Sequence, residues 1–335
     1  MPKIELHRHL EGSIRPAIAW SLALEQGIDL GFSDYPSFEQ AALVTKPIGG
    51  LKKVLNAMAL TRKTLASAAA IEKVAYEIVQ DAKADNIKLF ELRFAPSLLA
   101  QAVGLDYPEI FAAVAAGAAK ASTPGSPIAV GLICSLRRSS PREVNSAIVQ
   151  AMLRAKTDAK LQVPLVGIDL SDDERGTAPE DYAEFFDPLR EAGFGTTVHT
   201  GLNTSADYIW QTLNTLKPQR IGHGILASGN AALIEEIRRR GIHLELSVLS
   251  NWITETVPSV KDHPLPIFIN KNLSLGINSD DPGLFGSDLQ KEYALLEQNF
   301  GLTQQDFLFI NQRSLEASFL PNECRDRVRA EYFGA

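Results

Sequence analysis

Short apolar runs of β type alternate along the chain with longer amphipathic stretches. Eight such runs occur, at 4–7, 88–94, 128–134, 165–170, 195–199, 220–223, 243–247 and 273–278. Between them, apolar residues recur with a helical period at 69–85, 107–121, 141–156, 180–192, 205–216 and 231–240. Asp181 and Ser205 stand where a side-chain oxygen caps a helix start, and Gly193 and Gly241 where a left-handed residue ends one. Strands separated by helices indicate βα units and a parallel sheet. Eight of them predict an α/β protein with a closed (β/α)8 TIM barrel; an open doubly wound sheet is the alternative that pattern alone leaves. The stretch 12–68 is too long for a plain βα loop. It is expected to form extra helices over the C-terminal mouth of the barrel, where a lid would keep water from a site.

Composition refines this only a little. The chain has 335 residues, 45% hydrophobic and 22% charged, with no linker-like segment, so a single domain over 1–335 is expected. A net charge of −7 speaks against nucleic acid as partner, because phosphate contacts need clustered Lys and Arg. Of the two short basic runs, Arg137-Arg138 is expected to end a strand and Arg238-Arg239-Arg240 to lie on a helix surface. Cys134 and Cys324 are far apart and read as free thiols, Cys134 as core. The opening residues lack the apolar run of a signal peptide, and no apolar stretch is long enough to span a bilayer. The expectation is a soluble cytoplasmic protein with a small-molecule substrate, no membrane or nucleic-acid partner, and an oligomeric state left open.

The chemistry concentrates at predicted strand ends. Four of the six histidines, His7, His9, His199 and His223, lie at or just past the C-terminal end of a strand, where barrel enzymes place their active sites. His7 and His9 are two apart, so in a strand their rings share a face. Asp280 and Asp281 follow the eighth strand; two adjacent carboxylates at a barrel mouth need cations nearby. Three imidazoles and one carboxylate (His7, His9, His199, Asp280) suit zinc or another first-row divalent ion with a position left open. His223, between Gly222 and Gly224, is a candidate to take a proton from a water that the ion acidifies. His243 and His263 are given structural or surface roles.

On these residues the chain resembles the adenosine/AMP deaminase family of the amidohydrolase superfamily. The motifs are Glu-Leu-His-Arg-His-Leu-Glu-Gly at the start, Glu-Leu-Arg-Phe-Ala-Pro at 91–96, Gly-Ile-Asp-Leu at 167–170, His-Thr-Gly at 199–201, Ile-Gly-His-Gly at 221–224, Leu-Ser-Asn at 249–251 and Ser-Asp-Asp-Pro at 279–282. The resemblance implies a (β/α)8 barrel, zinc on His7, His9, His199 and Asp280, and His223 acting on the attacking water. It further implies Asp281 bonded to a substrate ring and Glu11 meeting a sugar or other polar group. Two positions depart from the family pattern. Leu202 stands where the family's ring-protonating glutamate follows His-X-Gly, and losing a positioned acid costs about 10²–10⁴-fold in rate. Ser171-Asp172-Asp173-Glu174 replaces a Gly-Asp pair, and a carboxylate at Asp172 is expected to crowd a purine and add negative charge. Asp172 or Glu174 is a candidate for a displaced acid. Three readings follow: a deaminase of a purine-like or other amino-heterocycle, a hydrolase of another C–N or ester bond, and a catalytically silent nucleoside-binding relative. A full set of metal-type residues gives the third little physical reason.

Overall fold

The structure, a computed structural model, describes residues 1–123, 125–156 and 161–334. Eight strands form one parallel sheet in sequence order: β1 Lys3–His9, β2 Ile87–Phe94, β3 Ala129–Arg137, β4 Leu165–Ser171, β5 Gly195–Thr200, β6 Arg220–His223, β7 His243–Leu246 and β8 Leu275–Ile277. The sheet closes where the chain leaves β8. Asp280 forms a parallel bridge with Arg8 of β1. Its N–H donates to the His7 carbonyl at 3.0 Å, and its carbonyl accepts from His9 N–H at 2.9 Å. The (β/α)8 barrel expected from the alternation is therefore the observed fold, and its closing hydrogen bonds seat Asp280 against both histidines of β1.

All eight expected strands are present, with two informative shifts. β1 runs on through His9, and β3 through Arg137 instead of stopping at Cys134. The apolar run breaks in β3 at Ser135, which donates to Asp169, and at Arg137, which lines the cleft, while Leu136 between them stays in the core. Ser205 caps the helix Ala206–Thr215 by accepting from Tyr208 N–H. Asp181 lies in a 3-10 turn, Pro179–Tyr182, that leads into the helix Ala183–Glu191. Gly193 and Gly241 have φ of 80° and 65°, as expected of residues that end helices. Cys134 is buried and Cys324 partly so; both are free. Among the described residues, no single helix is long and apolar enough to cross a membrane.

The long insertion after β1 is helical, with segments Pro16–Gln26, Tyr35–Ala42, Leu51–Ala57 and Ala59–Arg62. Val54 and Met58 pack with Ile253 and Phe285 in a small apolar cluster beside the main core. The backbone bond from Val44 N–H to the Leu284 carbonyl ties the insertion to the segment after β8.

Glu292 of the helix Leu289–Phe300 is buried, and its carboxyl group accepts from Leu249 N–H at 3.1 Å. That N–H belongs to the first turn of the helix Val248–Ile253 and favours the charged form. Burial wins and pushes the carboxyl up to about 8. A raised pKa means that the folded chain holds this proton more tightly than the unfolded chain. The stability it contributes is complete below about pH 4.5 and is lost as pH rises through about 8. Thermal melts of E292Q against wild type should show a flatter decline in Tm between about pH 5 and pH 8. Parallel slopes would mean that Glu292 is already ionised across that range.

Candidate active site

The C-terminal mouth of the barrel holds a cleft of about 810 Å³, including its open entrance. Its walls include His9, Glu11, Asp172, His199, Leu202, His223, Asp280 and Asp281. The insertion contributes Leu51, Val54, Leu55, Met58 and Arg62. The expected lid thus forms one wall of the cleft.

At the floor the histidines converge on Asp280. One ligand atom from each of His7, His199, His223 and Asp280 lies within 4.8 Å of the others. Asp280 Oδ1 is 3.2 Å from His7 Nε2 and 3.3 Å from His9 Nε2. His9 Nε2 is in turn 3.2 Å from His199 Nε2. The rings of His7 and His9 have centroids 5.3 Å apart, as the shared strand face requires. His7 Nε2 is buried and faces Asp280 Oδ1. Burial holds His9 and His223 well below the ordinary histidine range, and His199 below it. His7 goes the other way. Burial and Arg93 oppose its charged form, but Asp280 on one ring nitrogen and Glu245 on the other prevail.

A second layer orients these rings. Glu245 Oε2 meets His7 Nδ1 at 2.7 Å, and Asp169 Oδ1 meets His199 Nδ1 at 2.9 Å. Arg93, fully buried, joins the two carboxylates, with Nη2 2.7 Å from Glu245 and Nη1 3.3 Å from Asp169. Arg220 binds the other oxygen of Glu245 at 2.7 Å. The Asp169 carboxyl is drawn down far below the usual carboxylate range: burial opposes the shift, and the charges of His199 and Arg93 overcome it. Gly222 makes room for this packing, since a Cβ there would lie 2.9 Å from His7 Cε1.

His223 is set from a different direction. Leu265 N–H donates to His263 Nδ1 at 3.1 Å, which leaves the proton of that neutral ring on Nε2. His263 Nε2–H then donates to Asn251 Oδ1 at 3.1 Å, and Asn251 Nδ2–H to His223 Nδ1 at 3.1 Å. Burial lowers His263 to about 3, which keeps it neutral in this series. The series begins at a backbone N–H, a fixed donor, so it assigns every later donor and acceptor. His223 therefore carries its proton on Nε2, 3.8 Å from Asp280 Oδ2. The ring that its position in the sequence suggested as a proton acceptor presents an N–H to the cleft. Of the structural or surface role given to His263 from sequence, the structure shows the structural one: the ring is buried and starts the side-chain part of this series.

The sequence profile of the adenosine deaminase family matches residues 2–332. The chain belongs to the adenosine deaminase family. Among its relatives is the adenosine deaminase of Erwinia tasmaniensis, 32% identical over 330 residues, or 98% of this chain and 97% of that protein. The crystal structure of adenine deaminase from Arthrobacter aurescens superposes with a TM-score of 0.87 at 22% identity, covering 98% and 97% of the two chains. A zinc-bound amidohydrolase from Burkholderia ambifaria does so at 0.85 and 24%, covering 99% and 89%. Membership makes the chain a hydrolase of carbon–nitrogen bonds other than peptide bonds.

The two departures from the family pattern now have geometry. Leu202 is 7% exposed and lines the cleft, an apolar surface at the place of an acid. Glu174 is no displaced acid. It is 1% exposed and accepts from the N–H groups of Gly201 and Leu202, both at 2.8 Å, and from the Thr200 and Thr204 hydroxyls at 3.1 and 2.9 Å. A carboxylate with its lone pairs so engaged holds the loop after β5 and has no access to a substrate. Asp172 does line the cleft, but its charge is not free: Arg137 pairs with it at 2.9 Å and Ser139 donates to it. It keeps a left-handed backbone with φ of 82°, a conformation that favours glycine. The expected surplus of negative charge is thus offset by Arg137, one half of the basic run that sequence assigned only to a strand end. The other half, Arg138, is buried and donates to the His199 carbonyl at 2.7 Å. Arg238, Arg239 and Arg240 do lie on a helix surface, paired with Glu235 and Glu236.

Glu11 and Asp281 both line the cleft and both are buried. Glu11 accepts from Ala95 N–H at 2.8 Å, and burial raises its carboxyl. Asp281 packs against Gly12, where any Cβ would overlap its carboxylate, and its Oδ1 has no partner among the described residues.

The hydrogen-bond series makes a direct prediction. Long-range ¹⁵N–¹H spectra of histidine-labelled protein should show neutral His223 as the Nε2–H form. Asn251→Asp should move the proton to Nδ1, because a carboxylate can only accept. A wild-type ring already protonated on Nδ1 would mean that Asn251 is oriented the other way round.

Proposed function

We propose that the chain is a metal-dependent deaminase: it adds water to the carbon that bears the amine of an amino-heterocycle and releases ammonia. The observation that carries this reading is the set of ligand atoms around Asp280. A tetrahedral ion with bonds of about 2.0–2.1 Å separates its ligand atoms by roughly 3.3–3.4 Å. His7, His9 and His199 meet Asp280 or one another at 3.2, 3.3 and 3.2 Å. The buried Nε2 of His7, which faces Asp280 Oδ1, fits the same role. His7, His9, His199 and Asp280 would hold the ion, zinc or another first-row divalent metal. His223 is less suited, because its Nε2 already carries a proton. When bound, the ion would polarise the group under attack and lower the pKa of water.

The chain's own residues account for the remaining tasks. Asp280 Oδ2 is placed to take the proton of the attacking water. His223 Nε2–H faces it and can hold the developing oxygen by donating a hydrogen bond. Asp281 and Glu11 offer oxygens to the polar edge of a substrate. Leu55, Met58 and Leu98 supply apolar surface for a flat ring.

Leu202 favours a second reading. With no acid at that wall and Glu174 engaged elsewhere, ring protonation lacks its usual donor. Hydrolysis of an amide or another C–N bond, or of an ester, needs no such donor, and Asp280 and His223 suffice for it.

The test is ammonia release from adenosine, AMP and adenine by the zinc-loaded enzyme, beside L202E. On the first reading the wild type turns over at least one of them. Chelation abolishes the activity and zinc restores it, while Asp280→Ala lowers it by about 10²–10⁴-fold. A silent wild type with an active L202E means that the cleft accepts a purine and lacks only the acid. If both are silent with zinc still bound, the first reading fails and amides and esters are assayed next. E245Q should loosen the metal by about 10–100-fold, measured by competition with a chelator, because Glu245 holds the His7 ring.

A further inference from the structure

The end of the barrel interior away from the cleft is filled by a side chain that no strand carries. β4 turns Asp169 inward, and β5 turns Thr197 and His199 inward. Side chains two apart in a strand share a face, so Gly167 and Gly195 look inward as well. The two glycines stand side by side in the strand register. In a barrel, such positions usually carry one layer of the interior packing. Here Phe319 supplies it, from the turn between the helices Gln304–Ala317 and Asn322–Tyr332. A Cβ at Gly195 would overlap its ring, and one at Gly167 would lie 2.7 Å from its Cδ2. Arg220 of β6 lies on the same ring, with its guanidinium carbon 3.6 Å from the centroid. That arginine is 1% exposed. Its Nε pairs with Glu245 Oε1 and its Nη2 with Glu91 Oε2, both at 2.7 Å, and its Nη1 donates to the Ala317 carbonyl at 3.1 Å. Glu91 accepts in turn from the Ser318 hydroxyl at 2.7 Å and from Phe319 N–H at 2.6 Å. Glu245 continues the line to His7 Nδ1 at 2.7 Å.

We infer that Phe319 is a positioning residue for the metal site: it fixes the plane of the Arg220 guanidinium and, through Glu245, the ring of His7. A guanidinium donates only within its own plane. The aromatic face under Arg220 therefore sets the plane in which Glu91 and Glu245 are met. Without that face, Arg220 is free to tilt toward the open groove at this end of the barrel, which both Arg220 and Phe319 line. The Oε1 of Glu245 would then keep Thr197 alone, while Oε2 serves Arg93 and His7. The two oxygens belong to one rigid carboxylate, so turning Oε1 displaces Oε2 from His7. Phe319 is no part of the cleft wall, and its route to the chemistry is this line of contacts. The consequence for metal binding rests on the metal-dependent reading proposed above, whereas the line from Phe319 to His7 does not.

The test compares full-length wild type with F319L, F319Y and L320A. Leucine keeps an apolar side chain and removes the ring face; tyrosine keeps the ring. Leu320 is the buried neighbour in the same turn and packs beside Gly131 and Val166, so its truncation reports what a weakened turn costs by itself. Two quantities are read at the same interval below each protein's Tm: zinc affinity by competition with a chelator, and the ¹⁵N signal of His7 Nδ1 in metal-free protein. F319L should loosen zinc by about tenfold, the low end of the loss when an outer partner of a metal-bound histidine is removed. It should also shift the His7 signal. F319Y should match wild type in both, and L320A should lower Tm while leaving both unchanged. If F319L does not fold, F319M takes its place. Unchanged zinc affinity or an unmoved His7 signal in F319L overturns the inference. So does an L320A or F319Y protein that behaves as F319L does, since the ring would then not be what matters. A wild type that binds no zinc sinks the metal-dependent reading instead, and the His7 signal alone then decides whether Phe319 sets that ring.

Discussion

Arg93 is the constraint on which the site depends. Its guanidinium is fully buried inside the barrel, where an unpaired charge would cost several kcal/mol or more. Glu245 and Asp169 compensate it at 2.7 and 3.3 Å. Glu245 Oε2, which also binds Arg93, meets His7 Nδ1, and Asp169 Oδ1, the oxygen turned away from Arg93, meets His199 Nδ1, so both imidazoles are fixed with Nε2 turned inward. A buried ion network of this kind is a poor source of net stability. Its use here is geometric: three charges that must stay together hold two rings at the spacing of one small ion.

Closure of the barrel supplies the other half of the geometry. Asp280 joins β1 through two backbone hydrogen bonds, so the carboxylate and the β1 histidines are placed by the same contacts that complete the sheet. The site also holds strained backbone. His223, Asp280 and Asp172, with φ of 66°, 59° and 82°, are all non-glycine residues in the left-handed region, and all three line the cleft. Such conformations cost about 1–3 kcal/mol each and persist where surrounding contacts over-determine them.

Around this shared machinery the substrate wall is rebuilt. Glu174 uses its oxygens to hold the loop that carries Leu202, so an apolar side chain is kept firmly where the family's acid stands. Asp172 brings a charge to the next strand end, and Arg137 neutralises it. Arg62 adds a positive charge from the insertion, near Glu11 and Asp172. These changes alter the substrate wall while the Asp280 cluster stays intact.

The sequence by itself determined the barrel, the insertion that walls the cleft, and the residues of the cluster. Strand and helix periodicity are local properties, and His7, His9, His199, His223 and Asp280 each sit at a strand end that the local pattern marks. Arg93, Asp169, Glu245 and Asn251 were visible as parts of motifs, and as polar residues in apolar runs, but their tasks were not. Each task is a contact with a residue 28 to 238 positions away, such as Asn251 to His223 or His7 to Glu245. His263 and Arg62 gave no local signal at all. Only the tertiary structure decided which nitrogen of His223 carries the proton, that Glu174 is spent on a loop, and that Arg62 and Arg137 share one wall. The physical reason is that hydrogen-bond direction and charge compensation depend on partners that only the folded chain brings together.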